Sequence, residues 1–190
     1  IIKAIFLHRK IDKQPFKITS MKKLLFLFIT AASISYAANA QDGGDYKSGI
    51  GLRVGGGYYD IVAASFKTFI TEPGAIEINV GFRPYGYTGY NWVNLSGSVS
   101  YQHHFPIGSV EGLKWFVGGG LTAFNTFSKY DTYKGFGLGV FPTGGADYKF
   151  GNIPLNVSLD FRPTIALIKP YSYYSSFYAG NAGISARYTF

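Results

Sequence analysis

The chain has 190 residues, no cysteine, 18 Lys/Arg against 10 Asp/Glu, and many glycines (25), tyrosines (16) and phenylalanines (17). The lack of cysteine excludes disulfide staples and thiolate metal sites, and abundant Gly, Tyr and Phe with scarce Leu, Glu and Lys disfavours helices and favours aromatic-rich strands. Seven of the 18 basic residues and one of the 10 acidic ones fall within 1–40, so the rest carries about +2 and the formal +8 gives no support for nucleic-acid binding.

In chain order, residues 1–20 show no periodicity and read as an upstream extension foreign to the functional protein. Residues 21–40 read as a secretory signal peptide. Lys22 and Lys23 form the charged start, Leu24 to Ile34 an apolar run of eleven residues, and Ala38-Asn39-Ala40 a small-x-small cleavage site. Eleven apolar residues are too few to cross a bilayer core, which needs about 20. The expectation is therefore a mature chain of 41–190 forming a single domain, with no composition break inside it.

That domain divides into eight runs in which apolar and polar side chains alternate, the period of a strand with two unlike faces. They are about 49–56, 61–70, 75–83, 92–105, 113–124, 136–150, 155–168 and 177–190. The fourth is the clearest, with Val93, Leu95, Val99, Tyr101 and Phe105 opposing Asn94, Ser96, Ser98, Ser100 and Gln102. In the last, Tyr178, Gly180, Ala182, Ile184, Ala186, Tyr188 and Phe190 share one face, and Asn181, Ser185, Arg187 and Thr189 the other. Connections at 71–74, 106–112 and 151–154 are short, whereas 84–91, 125–135 and 169–176 read as longer, Tyr-rich loops; 57–60 is a short member of that second set. Aromatics gather at both ends: Tyr85, Tyr87, Tyr90, Trp92, Tyr130, Tyr133, Tyr171, Tyr173 and Tyr174 by the loops, and Tyr101, Phe105, Trp115, Tyr148, Phe150, Tyr188 and Phe190 by the turns. Two such bands suit two membrane interfaces.

These signals predict an all-β fold, an eight-stranded antiparallel up-and-down barrel that spans a membrane. A secreted soluble barrel is the alternative, but its outward polar face should be rich in Lys and Glu. Here the polar face is mostly Ser, Asn, Thr and Gly, with charges of both signs, which suits a narrow lumen where charges must pair. Eight strands leave an interior that side chains fill, so a solute pore is disfavoured.

A strand ending on an aromatic at Phe190 resembles the closing strand of bacterial outer-membrane β-barrels. In that family the terminal aromatics, here Tyr188 and Phe190, belong to the signal read by the barrel-insertion machinery. The segment Ala146-Asp147-Tyr148-Lys149-Phe150 followed by Ile153-Pro154-Leu155-Asn156-Val157-Ser158-Leu159-Asp160-Phe161-Arg162-Pro163 is similar to a hairpin of small uncharacterised outer-membrane barrel proteins, and the whole resembles barrels of the OmpA/OmpX type. The resemblance implies an outer-membrane location and contact with its lipid. It implies no particular activity.

Some eight-stranded outer-membrane barrels modify lipid A with a His and a Ser near the outer leaflet, so a lipid-modifying enzyme is the second functional reading. His103 and His104 lie at the short-turn end of the fourth run, on opposite faces, which fits neither that site nor a shared metal. No catalytic, cofactor or metal site is therefore assigned. The charged residues Arg53, Lys67, Glu77, Asp160, Arg162 and Arg187 are expected on the lumen face as an ion-pair network, with Lys67 and Glu77 pairing across the second and third strands; a gated ion path is the sharper alternative. Gly55-Gly56-Gly57 and Gly118-Gly119-Gly120 lack the helix and Lys-Ser/Thr of a phosphate loop and read as relief of crowding in a curved barrel. The Tyr-rich loops, with Lys129, Asp131, Lys134 and Lys169, read as a surface for an extracellular partner or as an interfacial belt without one. No nucleic-acid partner is expected.

Overall fold

The computed structural model describes residues 46–87, 90–108 and 110–190, so the expectations for 1–20 and for the leader at 21–40 lie outside the described residues, as do the side chains of Tyr87 and Tyr90. Ten strands follow in order: β1 (Ser48–Gly55), β2 (Val62–Phe69), β3 (Gly74–Tyr87), β4 (Tyr90–Pro106), β5 (Leu113–Ser128), β6 (Gly135–Lys149), β7 (Leu155–Phe161), β8 (Thr164–Ile168), β9 (Phe177–Tyr178) and β10 (Ala182–Thr189). A 3₁₀ turn, Asp131–Tyr133, sits between β5 and β6.

The strands make eight staves of a closed antiparallel barrel. Each of β1 to β6 pairs with the next, β6 then pairs with both β7 and β8, and β10 returns to β1. The seventh stave is β7 plus β8, interrupted at Arg162-Pro163, where proline offers no N–H to the ladder. The eighth is β9 plus β10. Closure leaves no long unpaired edge. The seam is finished by Phe190, whose N–H donates to the Ser48 carbonyl at 2.8 Å while the Ser48 N–H donates back at 2.9 Å.

Alternation along every stave sorts side chains into two unlike sets. Among the described residues, 26 buried side chains are polar or charged and only seven are hydrophobic. The large aliphatics point outward instead; Leu52, Leu159 and Ile184 are 58%, 56% and 58% exposed. The interior is thus polar and the exterior apolar, the reverse of a water-soluble core. Tyr101, Trp115 and Tyr188 are exposed at the turn end, where Phe105 stacks on Trp115 with ring centroids 4.4 Å apart.

Three details differ from the sequence expectation. The segment 84–91 is mostly strand, and 125–135 keeps a loop only at 129–134: β3 and β4 run on through Tyr85↔Trp92 to Tyr87↔Tyr90, and β5 and β6 through Thr126↔Gly135. Alternating aromatics carry the ladder past Pro84, which lies on the outer face. The eighth stave carries one extra residue: Thr164 faces Tyr178 and Phe161 faces Ala182, three steps against four. This bulge at 179–181 re-aims the stave's upper end. Tyr178, expected outside, turns inward to donate its hydroxyl proton to the Gly56 carbonyl at 2.8 Å. Finally, the lumen is not wholly polar. Phe116, Phe124 and Phe141 are buried in it, each directly opposite a glycine of the neighbouring stave, at Phe116↔Gly145, Gly120↔Phe141 and Phe124↔Gly137. A Cβ added at Gly145 would stand 2.8 Å from the Phe116 ring, and one at Gly120 2.7 Å from Phe141. The glycines supply the space the rings fill.

Candidate functional site: the charged lumen

The most unusual chemistry lies inside the barrel. Arg53, Lys67, Arg162 and Arg187 are buried there with Asp60, Glu77, Asp147 and Asp160. Four positive and four negative charges balance within a water-poor interior, where an unpaired ion would cost several kcal/mol. Their arrangement follows from the register. Odd positions of β1, β2, β3 and β10 and even positions of β7 point inward, placing Arg53, Lys67, Glu77, Arg187 and Asp160 on one wall.

The contacts form a chain down the lumen. Near the loop end, Arg53 makes a fork on Asp160, Nη2 to Oδ1 at 2.7 Å and Nε to Oδ2 at 3.0 Å, and reaches Asp60 at 3.5 Å. Its guanidinium lies over Gly183, where a Cβ would stand 2.5 Å from Cζ. Arg162 bridges onward, with Nε 2.7 Å from Asp160 and Nη2 donating to Glu77 at 2.7 Å. Glu77 is the hub. Its carboxylate also sits 2.9 Å from Arg187 Nη2 and accepts from Gln102 at 2.7 Å and Asn79 at 3.0 Å. Arg187 fills its other donors with neutral acceptors, Ser65 at 2.9 Å, Ser158 at 2.7 Å and Asn156 at 3.2 Å.

A second cluster occupies the turn end. Lys67 Nζ lies 3.1 Å from Asp147, Tyr46 donates to the same carboxylate at 3.2 Å, and His104 Nε2 stands 3.8 Å away. The Lys67 ammonium also lies 5.0 Å from the centroid of the Phe116 ring. All six residues singled out from the sequence thus line the lumen, but the expected Lys67–Glu77 pair does not form. The two are register partners on β2 and β3, yet two guanidiniums already saturate Glu77 and the long lysine turns to Asp147. Sequence reasoning left Asp60 out because it sits in a connection, and it gave no partner to Asp147. The only sequence cue to Asp60 is that Tyr58-Tyr59-Asp60 is too short a connection to lie outside the rim.

Above the charges the lumen is closed by rings. Tyr59 and Tyr174 are buried with Phe124, Tyr59 stacking on Phe124 at 5.7 Å. Tyr58 packs edge-on against Tyr174 at 4.6 Å and Tyr178 at 5.2 Å. Tyr85 stacks on Trp92 and Trp92 on Tyr133, at 5.1 and 5.5 Å. Arg83 donates to the Gly57 carbonyl, and Tyr85 donates to the Tyr58 carbonyl at 2.6 Å, fastening the β1–β2 connection beneath the rim. Burial among these rings pushes the Tyr171 and Tyr174 hydroxyls above the usual phenol range. Most loop-end aromatics therefore form an inward lid rather than a belt; Tyr130 and Tyr173 remain exposed.

His103 points outward beside the Tyr101 hydroxyl at 3.2 Å, and His104 inward, as alternation requires. No hydrogen bond of His104 to a serine is present among the described residues, and there no three His, Cys, Asp or Glu gather as metal ligands. Neither a scan of protein-family models nor a search of curated proteins found a match to this chain.

Proposed function

We propose that this protein is a small integral barrel of a bacterial outer membrane, with a structural or surface-interaction role and neither a solute pore nor an enzyme. The observation that carries the reading is the inversion of polarity. A closed ladder pairs each stave with neighbours on both sides around the body of the barrel, as a hydrocarbon solvent demands, while an all-round apolar exterior far exceeds the patch a soluble monomer exposes. The outward aromatics at the turn end add to it. The cross-linked charges and the ring lid fill the interior, which supports a sealed lumen over a conducting one. On the same reading residues 21–40 serve export, and Tyr188 and Phe190 serve recognition by the insertion machinery.

The test is extraction and mobility. The protein should leave membranes only with detergent, refold in micelles, and migrate faster on a gel unboiled than boiled. A detergent-free, monomeric protein in buffer without a heat-modifiable band would refute the membrane reading in favour of a soluble barrel.

A further inference from the structure

The exposed cations at the loop end are confined to one sector. Lys129 follows β5 directly, Lys134 precedes β6, and Lys169 follows β8, and β6 is the stave hydrogen-bonded to both β5 and β8. All three lysines are exposed. Their rims touch: Gly135, next to Lys134, is packed so closely on Pro170, next to Lys169, that no Cβ would fit between them. With staves about 4.8 Å apart, the sector spans on the order of 10 Å, the width of one phosphorylated headgroup. Across the barrel the β1–β2 connection offers no lysine, and Arg83 is turned inward onto the Gly57 carbonyl and the Tyr85 ring. One acid enters the basic sector, Asp131, which pairs with Lys134.

Directly below these lysines the outer wall is apolar and bulky. Phe127 on β5, Phe136 on β6 and Ile168 on β8 are 55%, 51% and 47% exposed. Cations above a continuous apolar wall are complementary to an anionic amphiphile.

We propose that the β5–β6–β8 sector binds a phosphorylated lipid, its phosphate held by Lys129, Lys134 and Lys169 and its acyl chains laid along Phe127, Phe136 and Ile168. The proposal rests on the membrane reading above, and charge complementarity commits it to a lipid. Asp131 tunes the site by competing with the phosphate for Lys134.

The probe is a bis-phosphorylated glucosamine-disaccharide lipid added to the refolded barrel in neutral detergent, with adducts counted by native mass spectrometry. Replacing all three lysines by glutamine should weaken binding tenfold or more, since each lysine at an anionic surface contributes appreciably, and added salt should weaken it in the intact protein. The control Lys47→Gln/Lys114→Gln, at the turn end, should bind as the unaltered chain does. Equal binding of the dephosphorylated probe would overturn the proposal in favour of apolar adhesion. Displacement by millimolar inorganic phosphate would overturn the lipid assignment and leave a free-anion site. A heat-modifiable band measured on each variant separates these outcomes from failure of the barrel itself.

Discussion

Glu77 is the point at which the lumen is most vulnerable, and Glu77→Gln isolates its charge while keeping its shape. In the intact barrel this carboxylate meets two guanidiniums, Arg162 at 2.7 Å and Arg187 at 2.9 Å. After the substitution Arg162 still holds Asp160, 2.7 Å from its Nε. Arg187 does not fare as well: its remaining partners, Ser65, Ser158 and Asn156, are neutral. One fully buried guanidinium is thus stranded and the lumen carries a net positive charge. Removing one partner of a buried pair typically costs about 3–5 kcal/mol, and the neutral acceptors around Arg187 place the expected loss at the lower end, about 3 kcal/mol. The double variant Glu77→Gln/Arg187→Met restores the balance and should recover part of that loss. The assay is reversible urea unfolding in micelles or vesicles, followed by tryptophan fluorescence from Trp92 and Trp115. A cost below about 1 kcal/mol for Glu77→Gln, or a double variant weaker than the sum of its singles, would refute the reasoning and mean that water screens these charges.

Three further outcomes follow from other parts of the molecule. Leu159→Arg places a charge on the outer face of β7 and should cost about 2–4 kcal/mol in a bilayer; an unchanged unfolding midpoint in vesicles would argue against lipid contact there. Gly145→Ala meets the Leu159 carbonyl and the Phe116 ring, whereas Gly97→Ala points into open space, so the first should lose about 1–3 kcal/mol to overpacking and the second almost nothing, with equal midpoints counting against the ring-on-glycine packing. Deleting Phe190 removes the two backbone bonds to Ser48 and should lower stability by about 1–3 kcal/mol; a much larger fall in outer-membrane yield in cells than in detergent refolding would assign it to assembly, and parallel losses to structure alone.

The face assignment was legible because a two-residue period survives any error in strand ends: Arg53, Glu77, Asp160 and Arg187 fall inward whatever the boundaries. Strand ends were less legible, since Pro84 and the Tyr-rich stretches look like loop chemistry while cross-strand aromatic pairs such as Tyr85 with Trp92 prolong the ladder. The inward turn of Tyr178 depends on one extra residue at 179–181, which alternation alone cannot reveal because Gly180 suits either face. Partner choice was the least legible level. Lys67 and Glu77 are adjacent in register, and only the three-dimensional convergence of Arg162 and Arg187 on Glu77 decides that Lys67 goes to Asp147. The phenylalanines opposite glycines carried a readable cue, because Phe116, Phe124 and Phe141 break the small-polar pattern of their faces just where the next stave has no side chain.

The seam between β1 and β10 joins the two ends of the barrel, Gly49 to Thr189 through Gly55 to Gly183. Every other main rung links staves that follow one another along the chain, so hairpins such as β3–β4 close over short loops. The seam alone waits for the whole sheet to curl, and its loop-closure cost is the largest. Until then the polypeptide is a twisted sheet with two bare edges and a wall of apolar side chains, the form most prone to add a stray strand from another molecule. Closing the seam is therefore also the step that removes those bare edges.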